Sequence, residues 1–126
     1  MRNISSILTI ASSVLALAGS LALLPATIAN ADPATSALAE EGKKIAFDRK
    51  KGNCLACHAI EGGTLPGNIG PPLVAMKARY PDKAKLRAQI WDATKANPNT
   101  IMPPFGAHKI LSEGEIDKVV EFIHTL

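Results

Sequence analysis

In the last fifteen residues, SEGEIDKVVEFIHTL, apolar side chains fall at Ile116, Val119, Val120 and Ile123, with Phe122 at the edge of the stripe. This i, i+3, i+4, i+7 spacing is that of an amphipathic helix. Ser112 and Glu115 have the spacing of a capping box, which predicts that the helix starts there. Upstream, PDKAKLRAQIWDATKAN puts Leu86, Ile90 and Ala93 on one face, with Asp82 as N-cap and an end before Asn97-Pro98. SALAEEGKKIAFDRKKGN places Leu38, Ile45 and Ala46 at helical spacing before Gly52 and Asn53, predicting a helix over about 36–51. The stretch EGGTLPGNIGPPL holds four glycines and three prolines in thirteen residues, and NPNTIMPPFGAHKIL is also proline-bearing, so both are loops. Alternating β-branched runs are missing from the chain. The fold class is therefore all-α, three main helices with long loops, and loops of that length in a small domain need something to pack against.

The first 31 residues follow another pattern. Arg2 opens a short basic start, ILTIASSVLALAGSLALL is an apolar run broken by small residues, and ANA at Ala29 to Ala31 offers a cleavage point. Residues 1–31 read as a secretory signal peptide and 32–126 as the domain, with a periplasmic destination. Eighteen mostly apolar residues also approach the roughly 20 that span a bilayer, so membrane contact is expected only if this segment stays uncleaved.

Removing Arg2, the only charged residue of that segment, lowers the net charge from +3 to +2. Lys43, Lys44, Arg49, Lys50 and Lys51 cluster ahead of the cysteines, but without interleaved aromatics they read as a solvated face and not as a nucleic-acid surface. Only five aromatics are available to fill the core of this small domain, and a large apolar cofactor would complete it.

The two cysteines, Cys54 and Cys57, stand in GNCLACHAIEGG with His58 directly after the second. A thioredoxin-type dithiol belongs at a strand-to-helix junction, which this pattern does not offer. A structural zinc site needs four ligands, and only His108 and His124 remain to complete one. A disulfide across so short a loop would constrain almost no chain. C-x-x-C-H is instead the signature of covalent haem attachment. Each thiol adds to one vinyl group, and the adjacent imidazole is brought beneath the iron as its fifth ligand. One haem c on Cys54 and Cys57 is expected, which also removes both thiols from oxidation in an exported protein. The sixth ligand is open among Met76, Met102, His108 and His124. Met76 reads as filler, His124 as an interhelical or solvent residue, and Met102 sits in a loop stiffened by Pro103 and Pro104.

With C-x-x-C-H in place, GPPL at Gly70 to Leu73 resembles the G-P-x-L of the class I cytochrome c family. That resemblance implies the class I fold around one haem, with the Pro71 carbonyl accepting from the ring of His58 and Leu73 packing on the haem. Met102 lies 44 residues past His58 and just before the last helix, where that family presents its methionine. GNIGPPLVAMKARYPD, NPNTIMPPFGAHKIL and EIDKVVEFIHTL resemble a narrower group, the monohaem X subunits of the sulfur-oxidising SoxAX cytochromes, over roughly residues 40–126. MPPFGAHKIL is the most specific piece.

The narrower resemblance implies His58 and Met102 as axial ligands and electron transfer as the function. The implied partners are a haem-bearing catalytic subunit (SoxA-like) and a downstream small cytochrome c. Joining thiosulfate to a carrier protein's cysteine, an L-cysteine S-thiosulfotransferase activity, would belong to the complex and not to this chain alone. A second haem or a cysteine-ligated iron would have to sit on the partner, because the chain has no further cysteine. His108 recurs in the same run, with a loop-steadying hydrogen bond or a propionate as its expected contact. The rival functions are a free-standing periplasmic electron carrier and a haem enzyme or gas sensor with a labile Met102. Docking is expected around the haem edge, framed by the Cys57 loop and Pro103 to Gly106 with Phe105 as apolar contact.

Overall fold

The computed structural model describes residues 32–126, so the expected signal peptide lies outside the described residues. Helix α1 runs Pro33–Phe47. It begins before the predicted position because Asp32 caps it, its carboxylate accepting from Ala34 N–H at 2.9 Å, and Pro33 occupies the first turn, where its missing N–H is no loss. It ends before the predicted 51. The Asp48 carboxylate takes the Lys50 N–H at 2.8 Å, and the Asp48 carbonyl takes those of Lys51 and Asn53, each at 3.0 Å. A local turn thus outcompetes further helix.

Helix α2, Met76–Arg79, is a single turn entered through Ala75 in the left-handed region (φ 50°). It lies in the stretch between prolines, too short to show a period. Helix α3, Lys83–Trp91, starts at the predicted cap, with Asp82 accepting from Ala84 N–H at 2.8 Å. Leu86, Ile90 and Ala93 are buried. It stops at Trp91, short of Asn97, because the Asp92 backbone leaves helical geometry and its carboxylate caps Thr94 N–H at 3.1 Å, opening a 3-10 turn over Ala93–Lys95. Helix α4, Glu113–Ile123, carries the complete capping box, and Ile116, Val119, Val120, Phe122 and Ile123 are all buried. Phe122 meets Phe47 of α1 edge to face at 5.7 Å between centroids.

The dominant packing is α1 across α4, with α3 against α4. The crossing is close because Gly42 faces the Lys118 carbonyl, where a Cβ would come within 1.9 Å of the oxygen. Leu38, one of the predicted apolar positions of α1, is 41 % exposed, and Ala46 and Gly42 are buried on the face that α4 covers. Among the described residues there is no strand, and no helix long and apolar enough to cross a membrane. The segments between helices wrap a large cleft against this helical frame.

Candidate functional site

The first wall of the cleft grows out of the end of α1. Gly52 N–H donates to the Ile45 carbonyl at 3.1 Å, and Asn53, left-handed at φ 46°, turns the chain into a 3-10 turn over Cys54–Ala56. His58 N–H then donates to the Cys54 carbonyl at 2.9 Å. Residues three and four apart on such a turn share a face. Cys54, Cys57 and His58 all line the cleft, while Leu55 packs into the core. Cys54 and Cys57 are not joined in a disulfide, and burial pushes the unmodified Cys54 thiol up to about 11.

The glycine- and proline-rich loop is laced along this turn by three backbone bonds. Gly67 N–H donates to Leu55 O at 2.7 Å, Gly70 N–H to Cys57 O at 2.8 Å and Leu73 N–H to Ala59 O at 2.9 Å. The lacing brings the Pro71 carbonyl to 2.7 Å from His58 Nδ1. A carbonyl can only accept, so Nδ1 carries the hydrogen, and in the neutral ring Nε2 is the nitrogen that keeps its lone pair. Gly70 lies under the ring, where a Cβ would stand 2.5 Å from Cε1 and 2.6 Å from Nδ1. Pro71 and Leu73 line the cleft, and Leu73 also packs against the core.

Met102 also lines the cleft, from the second long loop. Its N–H is held by Thr100 Oγ1 at 3.2 Å, and beyond the two prolines the Phe105 carbonyl accepts from Ile110 N–H at 2.8 Å and Leu111 N–H at 3.1 Å. The other three candidates for a distal ligand are placed differently. Met76 is buried and lines the cleft, but the Arg79 guanidinium lies 3.4 Å from its sulfur. His124 turns Nε2 toward the Tyr80 carbonyl at 3.1 Å, and His108 is exposed and outside the cleft. With His124 turned to the Tyr80 carbonyl and His108 outside the cleft, no group of three or more potential metal-binding His, Cys, Asp or Glu occurs among the described residues.

The cleft measures about 490 Å³, within the range of small-molecule and cofactor sites. Its walls include Leu73, Leu86, Ile90, Phe105, Val119 and Ile123, and Arg49, Lys50, Lys51 and Arg79 also line it. Thiols, an oriented imidazole with a free lone pair, a thioether and apolar walls together fit a covalently held haem, and the basic groups suit its carboxylates. The expected docking role of Phe105 does not hold: Phe105 is only 7 % exposed and belongs to the core, because its backbone anchors the loop into α4's cap. The exposed apolar side chains lining the cleft are Ile69, Ile101 and Ile110 instead, at 64 %, 72 % and 43 %. The seat that Gly70 gives the imidazole was missed by sequence reasoning; its only local signal is a glycine ahead of two prolines.

A family model described as "Cytochrome c" matches residues 39–126. Among solved structures, the crystal structure of SoxXA from P. pantotrophus contains a chain that is 31 % identical, with a TM-score of 0.62, covering 68 % of this chain and 79 % of that one. A curated relative, an uncharacterized lipoprotein of Aquifex aeolicus (strain VF5), is 34 % identical over 76 residues. That match covers 60 % of this chain and only 37 % of the relative's length.

Proposed function

Since the chain belongs to the cytochrome c family and carries one covalently bound haem c, we propose that Cys54 and Cys57 form its thioether links and that His58 Nε2 and Met102 Sδ are its axial ligands. The observation that carries this reading is the 2.7 Å contact from His58 Nδ1 to the Pro71 carbonyl, made in the cleft that Cys54, Cys57 and Met102 also line. That hydrogen bond fixes the tautomer, orients the ring and raises the basicity of Nε2. When bound, the haem supplies a one-electron couple. Met102, as a soft thioether, would raise its potential, and the apolar walls would limit its contact with water. With His58 and Met102 both holding the iron, the chain would leave it no site for a substrate, and the function that fits is electron transfer.

The finer reading is that this chain is an X-type subunit of a thiosulfate-oxidising complex, exported with residues 1–31 as signal peptide and acting in the periplasm. Support comes from the motif resemblance over residues 40–126 and from the likeness to a chain of SoxXA. Joining thiosulfate to a cysteine thiolate forms one S–S bond and releases two electrons. A haem-bearing catalytic subunit performs that step, and this subunit passes the electrons on singly to a small cytochrome c.

The test mixes the purified holoprotein with thiosulfate, then adds the catalytic subunit and the carrier protein. Reduction should appear only after both additions. Fast reduction by thiosulfate alone would point to a self-sufficient enzyme, and no reduction with all components present would favour a free-standing carrier.

A further inference from the structure

The loop that presents Met102 is held from outside the cleft. Trp91, the last residue of α3, does not line the cleft. Its carbonyl oxygen accepts from Gly106 N–H at 3.0 Å and Ala107 N–H at 3.3 Å. Its indole is pressed to Gly106, where a Cβ would lie 2.2 Å from ring atoms Cδ2 and Cε3. The Arg87 guanidinium stands over the same ring, 5.3 Å from its centroid. Arg87 is itself fixed by α4, with Nε donating to Asp117 Oδ1 at 2.6 Å and Nη2 to Glu113 Oε2 at 3.3 Å. The indole therefore links an ion-paired anchor on α4 to the backbone of the methionine loop.

Resting on the axial role of Met102, we infer that Trp91 is the positioning residue for that ligand, acting through Gly106. Methionine has three rotatable side-chain bonds, so its sulfur is only as well placed as its backbone. Upstream, the Met102 backbone is tethered by one 3.2 Å bond to Thr100 Oγ1. Downstream, Pro103 and Pro104 fix φ and transmit any displacement of the loop base to Met102. Both backbone bonds of Trp91 and its ring contact converge on that base. Releasing the clamp lets the loop swing and the thioether leave the iron more often, with the haem still attached.

The experiment follows imidazole binding to the ferric holoprotein, in which an incoming ligand must wait for methionine release. The charge-transfer band of thioether-bound ferric haem and the thermal midpoint are read alongside. Trp91→Ala should speed imidazole binding about tenfold, the change that about 1.4 kcal/mol of lost restraint produces, and Trp91→Phe should stay within about threefold of wild type. Gly106→Ala, which forces the loop off the ring, should speed binding as Trp91→Ala does and serves if that variant fails to fold. Phe47→Ala, remote from the loop, should lower the thermal midpoint without speeding binding. Binding at the wild-type rate in Trp91→Ala or Gly106→Ala, or equal acceleration in Phe47→Ala, would overturn the inference. A wild-type protein lacking the thioether band would overturn Met102 ligation itself, and this inference with it.

Discussion

At position 70 a single methyl group would enter the space of the His58 imidazole, with the nearest ring atom 2.5 Å away. The ring cannot retreat without leaving the Pro71 carbonyl. Gly70→Ala is therefore expected to lower stability by about 1–3 kcal/mol, the usual range for overpacking. Thermal unfolding of the holoprotein measures the loss, and a variant as stable as wild type would show that the seat is loose. Residues of this kind mark the limit of what a sequence displays. Cys54, Cys57 and His58 are legible because the chemistry demands their adjacency. The contact from Pro71 could be expected only through a family likeness, since its partner lies 13 positions away. The steric role of Gly70 has no periodic signature at all.

Helix boundaries divide the same way. α4 was readable because both its signals, the capping box and the apolar stripe, are local. α1 and α3 were placed correctly but misjudged at their ends, because Asp48 and Asp92 redirect the backbone through side-chain bonds that propensity does not weigh. The crossing of α1 and α4 was invisible, since it depends on what Gly42 meets. Alanine would favour the helix there by about 1 kcal/mol, yet its Cβ would strike the Lys118 backbone, which no rotamer change relieves. Gly42→Ala should therefore destabilise despite its better propensity, and chemical denaturation at neutral pH decides the sign.

The start of α4 also has a definite acid response. The Lys51 ammonium, together with the N–H and hydroxyl of Ser112, holds the Glu115 carboxyl down at about 2, against an ordinary 4.5. A group whose folded pKa is lowered adds stability that is complete above its unfolded pKa and fades as pH falls toward the folded one. Wild-type stability should therefore decline between about pH 4.5 and 2, and Glu115→Gln should flatten that part of the profile. The effect will be small, because Lys51 and Glu115 are solvent-accessible and such pairs contribute little. Equal acid slopes in the two proteins would contradict the assignment.

For the whole molecule, the sparse core anticipated from five aromatics takes the form of a cleft that three helices and two loops surround. The helical class was legible from pattern, but the placement of the cleft was not, because it follows from long-range lacing of loops without a period. Electron transfer by this chain depends on what fills that cleft and which side chains hold it. The most direct measurement is a spectroelectrochemical titration of the holoprotein beside Met102→Ala and Met76→Leu, both checked for covalent haem by intact mass. Wild type and Met76→Leu should each show one one-electron step at similar potential with the thioether band present when oxidised. Met102→Ala should keep its haem, lose that band, shift to lower potential and bind carbon monoxide readily when reduced. A Met102→Ala protein that kept the band and the wild-type potential would contradict the account.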